Sequence, residues 1–313
     1  MQIIITGGAG FIGQLLAKEL LNSMLDFEEL LLVDIIAPSR PQNDSRLKCL
    51  KIDLLDDGRD QIISKKTGIV FHLAAVVSSH AEADFDLGWK VNLDLTRQLL
   101  EECRMYNPDI KFIFASSLAV FGGSLPDMVN DITAVTPQSS YGSQKAMGEL
   151  LVNDFSRKKY VDGRVLRLPT ICVRPGKPNK AASSFVSSII REPLNGEYTI
   201  CPVSPDLALW LSSPETIIQN IIIAATLEAS VFGNWRTVNL PGVGVTVQEM
   251  LEALERNTDK ATRAKVKFEL NESINSIVGS WPGQIDNQRA LKLGFKVDNN
   301  FDDFITQFMK TEV

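Results

Sequence analysis

Thr6-Gly7-Gly8-Ala9-Gly10-Phe11-Ile12-Gly13 is the stretch that decides the fold of this 313-residue chain. It follows a β-branched apolar run, Gln2–Thr6, and precedes an amphipathic pattern, Phe11–Asn22. The glycines therefore stand where a first strand gives way to a first helix, the context a nucleotide fingerprint requires. Gly7 and Gly10 permit a tight turn and a close backbone approach to a pyrophosphate. Gly13 permits close helix packing, and the helix amino terminus, with Phe11 and Ile12, supplies unpaired N–H donors. The plainer reading is a glycine-rich turn without a ligand, but in this position such turns are seldom empty.

Outward from that turn, short β-branched runs alternate with longer helical patterns. Strands are predicted at Gln2–Thr6, Leu30–Val33, Lys48–Ile52, Ile69–Leu73, Lys111–Ala115 and Arg164–Leu168, with helices at Phe11–Asn22, Leu87–Tyr106 and Tyr141–Lys158. This is the pattern of an α/β fold, a doubly wound parallel sheet of the Rossmann type with helices on both faces. After Pro169 glycine and proline break the chain more often, and strand candidates shorten to Tyr198–Cys201, Arg236–Leu240 and Val266–Glu269. We expect a dinucleotide-binding domain over 1–169 and, over 170–313, a smaller, mainly substrate-binding lobe with some segments returning to the first domain. Thr246 and Glu249 have capping-box spacing before Met250–Leu254, and Gly294 is a helix stop.

Asp34 ends the second strand about 20 residues beyond the last glycine, where a carboxylate accepts both ribose hydroxyls of NAD and repels an added 2′-phosphate. Ile35, Ile36 and Ala37 supply no cation and Arg40 lies further into the loop, so NAD is favoured over NADP. Asp53 and Leu54, after the third strand, are candidates for the adenine end, although Asp53 reads equally well as a solvated strand-end acid.

Tyr141 and Lys145 in Tyr141-Gly142-Ser143-Gln144-Lys145 are four residues apart, on one helix face. A free phenol, with a pKa of about 10, is a poor base at neutral pH, and a neighbouring ammonium lowers that value. The pair suits acid/base work on a substrate hydroxyl, with Tyr141 as the base and Lys145 tuning it and holding the nicotinamide ribose. Tyrosine and lysine at this spacing also commonly do no more than cover a surface. Ser116-Ser117, at a strand end upstream, places Ser117 to bond the reacting oxygen, since ligands of doubly wound sheets bind at strand carboxyl ends. Without the pair, both serines would read as a local hydroxyl-bonded turn.

Composition is ordinary for a globular chain, 44% hydrophobic and 22% charged. A net charge of −6 argues against a non-specific nucleic-acid surface and for a small-molecule substrate. Cys49, Cys103, Cys172 and Cys201 are too dispersed for a metal or redox pair, so no metal is expected. The amino terminus enters an apolar run without a basic leader, and no apolar stretch reaches membrane-spanning length, so a cytoplasmic protein is expected. Helices Leu87–Tyr106 and Tyr141–Lys158 carry more apolar residues than one buried face needs, and burial under the second lobe is the plainer reading.

Gly7-x-x-Gly10-x-x-Gly13, His72-Leu73-Ala74-Ala75, Ser116-Ser117 and Tyr141-x-x-x-Lys145, in this order, resemble the extended short-chain dehydrogenase/reductase superfamily. The resemblance implies that Ser117, Tyr141 and Lys145 form the catalytic group and that Asn92 helps organise it. It also implies that Leu73, Ala74 and Ala75 line NAD and that Arg167-Leu168-Pro169-Thr170 passes the nicotinamide. For the apolar surplus on Leu87–Tyr106 and Tyr141–Lys158 it implies pairing into a homodimer. Dehydratases of that superfamily place an acid where Leu118-Ala119 stands, and epimerases a Val-Tyr-Gly where Val120-Phe121-Gly122 stands. Leu168–Phe185, Trp210–Pro214, Val238–Gly242 and Ser280–Pro282 are similar to its sugar-acid dehydrogenases. This implies NAD-dependent oxidation of a four-carbon sugar acid at its C2 hydroxyl.

For such a substrate Arg174 is a fork donor able to grip a carboxylate. Ser78, with Ser79 and His80, could bond hydroxyls, and the plainer reading of Lys177 and Lys180 is solvated loop charge. Two alternatives stay open: a nucleotide-sugar epimerase that retains its NAD, and a dinucleotide-binding redox sensor without turnover.

Overall fold

The computed structural model describes every residue except Asp57, Arg59, Asp60, Asn179 and Val313. Its centre is a sheet of seven parallel strands. These are β1 (Gln2–Thr6), β2 (Glu29–Asp34), β3 (Leu47–Lys51), β4 (Thr67–His72), β5 (Lys111–Ser117), β6 (Asp162–Leu168) and, from late in the chain, Thr237–Asn239. The order across the sheet is β3-β2-β1-β4-β5-β6 and then Thr237–Asn239. Strand order reverses between β1 and β4, so the crevice beyond their carboxyl ends is the switch point where doubly wound sheets take ligands.

The apolar runs read as strands because both of their faces are covered. Ile3, Ile4 and Ile5 on β1 are fully buried, alternately in two clusters on opposite sides of the sheet. A strand covered on both faces has a continuous rather than alternating apolar pattern. Each such isoleucine contributes about 1.5–3 kcal/mol through removal of its side chain from water.

Helix α1 (Phe11–Asn22) follows the glycine turn as expected. After a short helix α2 (Ser78–Ala83), the long helix expected from Leu87 is subdivided into α3 (Phe85–Trp89), a π-helical turn Lys90–Asp94, and α4 (Leu95–Tyr106). The wider π turn carries Asn92, which is fully buried. Gly88 fits beside it only because it has no side chain: a Cβ there would lie 2.7 Å from Gln144 Nε2.

Helix α5 (Ser140–Arg157) starts on Ser139, whose hydroxyl accepts from the Gly142 N–H at 3.1 Å. Its first turn presses on the turn after β5, where a Cβ on Gly142 would come within 2.1 Å of Ala119 O. Glycine at 142 is therefore what lets Tyr141 approach Ser117.

Beyond β6 the chain builds a three-stranded sheet from β7 (Thr170–Ile171), β9 (Ala208–Ser212) and β11 (Val243–Thr246). A two-stranded ribbon pairs β8 (Thr199–Cys201) with Val266–Phe268, and Thr237–Asn239, designated β10, returns to the edge of the central sheet. Helices α6 (Ser184–Leu194) and α8 (Val247–Asn257) pack around the small sheets, whereas α7 (Pro214–Thr226) returns to the central sheet and packs against α1. The Thr246/Glu249 capping box forms at the start of α8. Gly294 takes a φ of 93° just after the helix Gln288–Lys292. Among the described residues no helix is long and apolar enough to cross a membrane.

Candidate active site

The glycine turn sits in the crevice. Gly7 has a φ of 74°, and a Cβ on it would lie 2.8 Å from Ala74 N. A Cβ on Gly13 would strike Gly7 O at 2.3 Å. The turn is thus pressed onto the end of β4 and onto α1 at once. Gly10, the N-cap of α1, brings no side chain to the first turn, so its N–H groups face the crevice without a side-chain acceptor. A cradle without side chains, ending in free N–H donors, fits a dinucleotide pyrophosphate. Phe11 and Ile12 open α1 there, and Leu73, Ala74 and Ala75, all half-buried, form the opposite lip.

Asp34 does more than end β2. Its Oδ2 accepts from the Ala9 N–H at 3.0 Å and its Oδ1 from the Ile36 N–H at 3.1 Å. The carboxylate thereby ties the glycine turn to β2 and keeps lone pairs for ribose hydroxyls. Arg40 is spent on the carbonyls of Asp44 and Leu47. Asp53 Oδ1 accepts from the Leu55 N–H in its own turn, and the Leu54 side chain is buried in the core.

His72 lies beneath the turn, fully buried, with Nδ1 2.8 Å from Thr6 Oγ1 and Nε2 3.0 Å from Thr96 Oγ1. Thr96 donates onward to Asn92 O, so the ring fits the tautomer protonated at Nε2. Burial, and secondarily the Lys145 charge, push His72 down to about 3. The unfolded chain protonates near 6.5 and the folded chain does not, so stability falls as pH drops below 6.5 and continues to fall until about 3. Between pH 7 and 5 this amounts to about 2 kcal/mol. Urea unfolding at the two pH values should show His72→Gln losing less stability on acidification than the parent; equal losses would remove His72 as the cause.

Ser117, Tyr141 and Lys145 meet beyond the ends of β4 and β5. Ser117 hydrogen-bonds the Tyr141 phenol and accepts from the Ala119 N–H at 3.1 Å. Lys145, 1% exposed, donates from Nζ to Ala115 O at 2.9 Å, with Nζ 5.8 Å from the centre of the Tyr141 ring. Burial pushes the phenol up to about 12, against lowering by Ser117 and Arg174. Burial likewise pulls Lys145 down to about 7, opposed by Glu149.

The expected tuning of Tyr141 by Lys145 is therefore not the dominant effect in the protein alone. Desolvation outweighs it, because the ammonium is directed at a carbonyl rather than at the phenol oxygen.

Arg174 follows β7 and completes this group. Its charge lowers the Tyr141 phenol, against the larger effect of burial, so the guanidinium acts electrostatically on that oxygen. Nε donates to Ile171 O at 3.2 Å, and the two Nη groups have no hydrogen-bond partner among the described residues. Helix α6 holds its backbone at both ends: Ser187 Oγ accepts from the Arg174 N–H at 3.0 Å, and Arg191 Nη1 donates to Arg174 O at 2.7 Å. Pro169 is buried at the junction of β6 and β7. Ser78 Oγ accepts from the Ala182 N–H at 2.9 Å, which leaves its hydroxyl hydrogen and one lone pair for a ligand. Asn92 reaches no open space. Its amide bonds Val76 N and O and Gln144 Oε1, fixing the segment after Ala75 and the turn before Lys145.

Residues 3–210 match the NAD dependent epimerase/dehydratase family. A D-erythronate dehydrogenase from Haemophilus influenzae is 55% identical over 100% of both chains, and one from Cupriavidus necator is 50% identical over 99% of this chain and 98% of its own. The chain belongs to the NAD dependent epimerase/dehydratase family. Among solved structures, a nucleoside-diphosphate-sugar epimerase from Agrobacterium tumefaciens superposes with a TM-score of 0.94 at 37% identity, covering 100% of this chain and 94% of that one.

This NAD dependent epimerase/dehydratase has a Rossmann-type fold, uses NAD and acts on a CH–OH group. Sequence reading missed Ser187 and Arg191, which set Arg174 from another element. Their i, i+4 spacing on one face of α6 was a legible signal. Glu149 was missed too, although it stands one further turn along the face of Tyr141 and Lys145.

Proposed function

We propose that the protein oxidises a short sugar acid with NAD, D-erythronate to 2-dehydro-D-erythronate, as the names of its 55% and 50% identical relatives suggest. The observation that carries this reading is the Arg174 guanidinium, whose charge acts on the Tyr141 phenol and whose two Nη groups have no hydrogen-bond partner among the described residues. A planar fork next to the acid/base suits a substrate whose carboxylate adjoins the reacting carbinol.

In this reading residues 1–169 hold the dinucleotide, and 170–313 the substrate, with β10 returning to the first unit. Gly7, Gly10, Phe11, Ile12 and Gly13 bind the pyrophosphate, Asp34 the adenosine ribose, and Asp53 and Leu54 the adenine. Leu73, Ala74, Ala75 and Pro169 line the nicotinamide half, with Asn92 supporting that lip. When bound, NAD supplies the hydride acceptor.

Tyr141 takes the hydroxyl proton of the substrate, Ser117 bonds the same oxygen, and Lys145 adds positive charge while a second donor holds the nicotinamide ribose. Arg174 orients the carboxylate and Ser78 donates to a distal hydroxyl. The phenol must lose a proton against burial, so the approaching substrate and the positive charges around the oxygen have to offset that cost.

A second reading, a nucleotide-sugar epimerase that retains its NAD, is favoured by the 0.94 superposition on the Agrobacterium protein. Absorbance at the NADH band separates the two. D-erythronate should give stoichiometric NADH; UDP-sugar turnover without net NADH, and none from D-erythronate, would overturn the proposal. Cytoplasmic residence suits the four free cysteines. A homodimer paired through α4 and α5 would cover Leu150, 57% exposed on α5. A monomer in sedimentation at micromolar concentration would exclude it.

A further inference from the structure

Behind Lys145 lies a buried charge pair to which the reaction as described assigns no task. Glu149, on α5, is 2% exposed, and so is Arg167 on β6. The Arg167 fork grips the carboxylate side-on, Nε at 2.9 Å from Oε1 and Nη2 at 2.7 Å from Oε2. Ser116 donates to Oε1 at 2.6 Å, so three donors fix one carboxylate. Arg167 in turn stacks over Phe121 at 4.7 Å and reaches Asn239 Oδ1 on β10 at 3.4 Å.

Tyr141, Lys145 and Glu149 follow one another at i, i+4 and i+8, down the buried face of a single helix. Purely structural burial of an ion pair gains little over apolar residues of similar volume. Here the carboxylate lies one turn from an ammonium that is itself buried and has a neutral carbonyl as its hydrogen-bond partner.

We infer that Glu149 is a positioning residue of the reaction: anchored by Arg167 and Ser116, it is the counter-charge that keeps the buried Lys145 an ammonium. The surroundings leave that task to no other group. Facing Lys145 are Tyr141 on its own helix, a neutral phenol, and His72 on β4, a neutral imidazole; Ser116 and Ala115 O on β5 carry no charge. Arg174, from the loop after β7, faces Tyr141, and Arg167 on β6 is itself positive. Glu149 is thus the one anion in this set, and burial draws Lys145 toward neutrality while Glu149 opposes it. Losing the Glu149 charge also leaves Arg167 as an uncompensated cation nearby, which repels a proton from Lys145.

The inference rests on the dehydrogenase reading, and the wild-type enzyme is the control that separates the two. No NADH from D-erythronate with wild type sinks that reading. With wild-type turnover in hand, the pH profile of kcat/KM is measured for Glu149→Gln and for Glu149→Gln/Arg167→Met. The single variant should lose activity at least 10-fold at pH 8, and its alkaline fall should begin at least one pH unit lower. Removing the stranded cation should return that fall toward the wild-type pH in the double variant.

A folded Glu149→Gln with an unshifted profile, whatever its rate, overturns the inference. So does a double variant whose alkaline fall lies lower still, as additive packing damage would give. Should the single variant not fold, the double variant decides alone. Its alkaline fall should lie below that of wild type, because the counter-charge is gone; an unshifted fall refutes the proposal.

Discussion

Tyr141→Phe should lower kcat for the sugar acid by about 100- to 10,000-fold, the usual contribution of a positioned acid/base, while NADH affinity stays within a few-fold of wild type. The substitution removes one oxygen. The ring remains under Lys145, 5.8 Å from its Nζ, and the first turn of α5 remains capped by Ser139. The glycine turn and Asp34 are untouched, so the dinucleotide site persists.

What is lost is the atom that Ser117 bonds and on which the Arg174 charge acts. With the phenol held up at about 12 by burial, the oxidation rate of wild type should climb with pH as the proton is shed more readily, until the loss of the Lys145 charge brings the alkaline fall. The Phe variant should lose that climb. Steady-state NADH absorbance and fluorescence titration with NADH read the two halves of the expectation. Full turnover by Tyr141→Phe would discard the mechanism and leave the dinucleotide site standing.

The second large effect belongs to Arg174→Met. Stripping one partner from a desolvated, hydrogen-bonded charge pair costs about 2–5 kcal/mol, or about 30- to several-thousand-fold in kcat/KM for a carboxylate substrate. Most of the loss should appear in KM, because the carboxylate is gripped alike in ground and transition states. Arg174→Lys keeps the charge and loses the fork, so it should recover only part of the affinity.

The backbone of Arg174 is held by Ser187 and Arg191 and not by its own side chain, so the loop should keep its course in both variants. A neutral amide of the same sugar acid provides the control. The preference for acid over amide should collapse in Arg174→Met, and an unchanged preference would place the carboxylate elsewhere.

The cofactor half of the site was legible before any coordinates because its requirements are local. Gly7 has to adopt a positive φ, Gly10 has to bring no side chain to the start of α1, and Asp34 has to stand at the next strand end. All three follow from chain order around one strand-turn-helix unit. Tyr141 and Lys145 are local in the same sense, set by one helical turn. The long helix from Leu87 was misread because a π turn costs little in the sequence pattern. Its reason lies elsewhere, in Asn92 bonding Val76 and Gln144.

The pattern of residues by itself determined a doubly wound sheet, a glycine turn at its switch point and a tyrosine and a lysine on one helix face, since strand periodicity, glycine freedom and helical spacing are properties of short segments. Tertiary structure alone decided the charge states. Burial raises the Tyr141 phenol and lowers the Lys145 ammonium, and both shifts depend on which side chains from distant elements exclude water or face them. It alone also let the Arg174 charge act on the phenol and brought Arg167 to Glu149, interactions that join segments far apart in the chain and that no local spacing encodes.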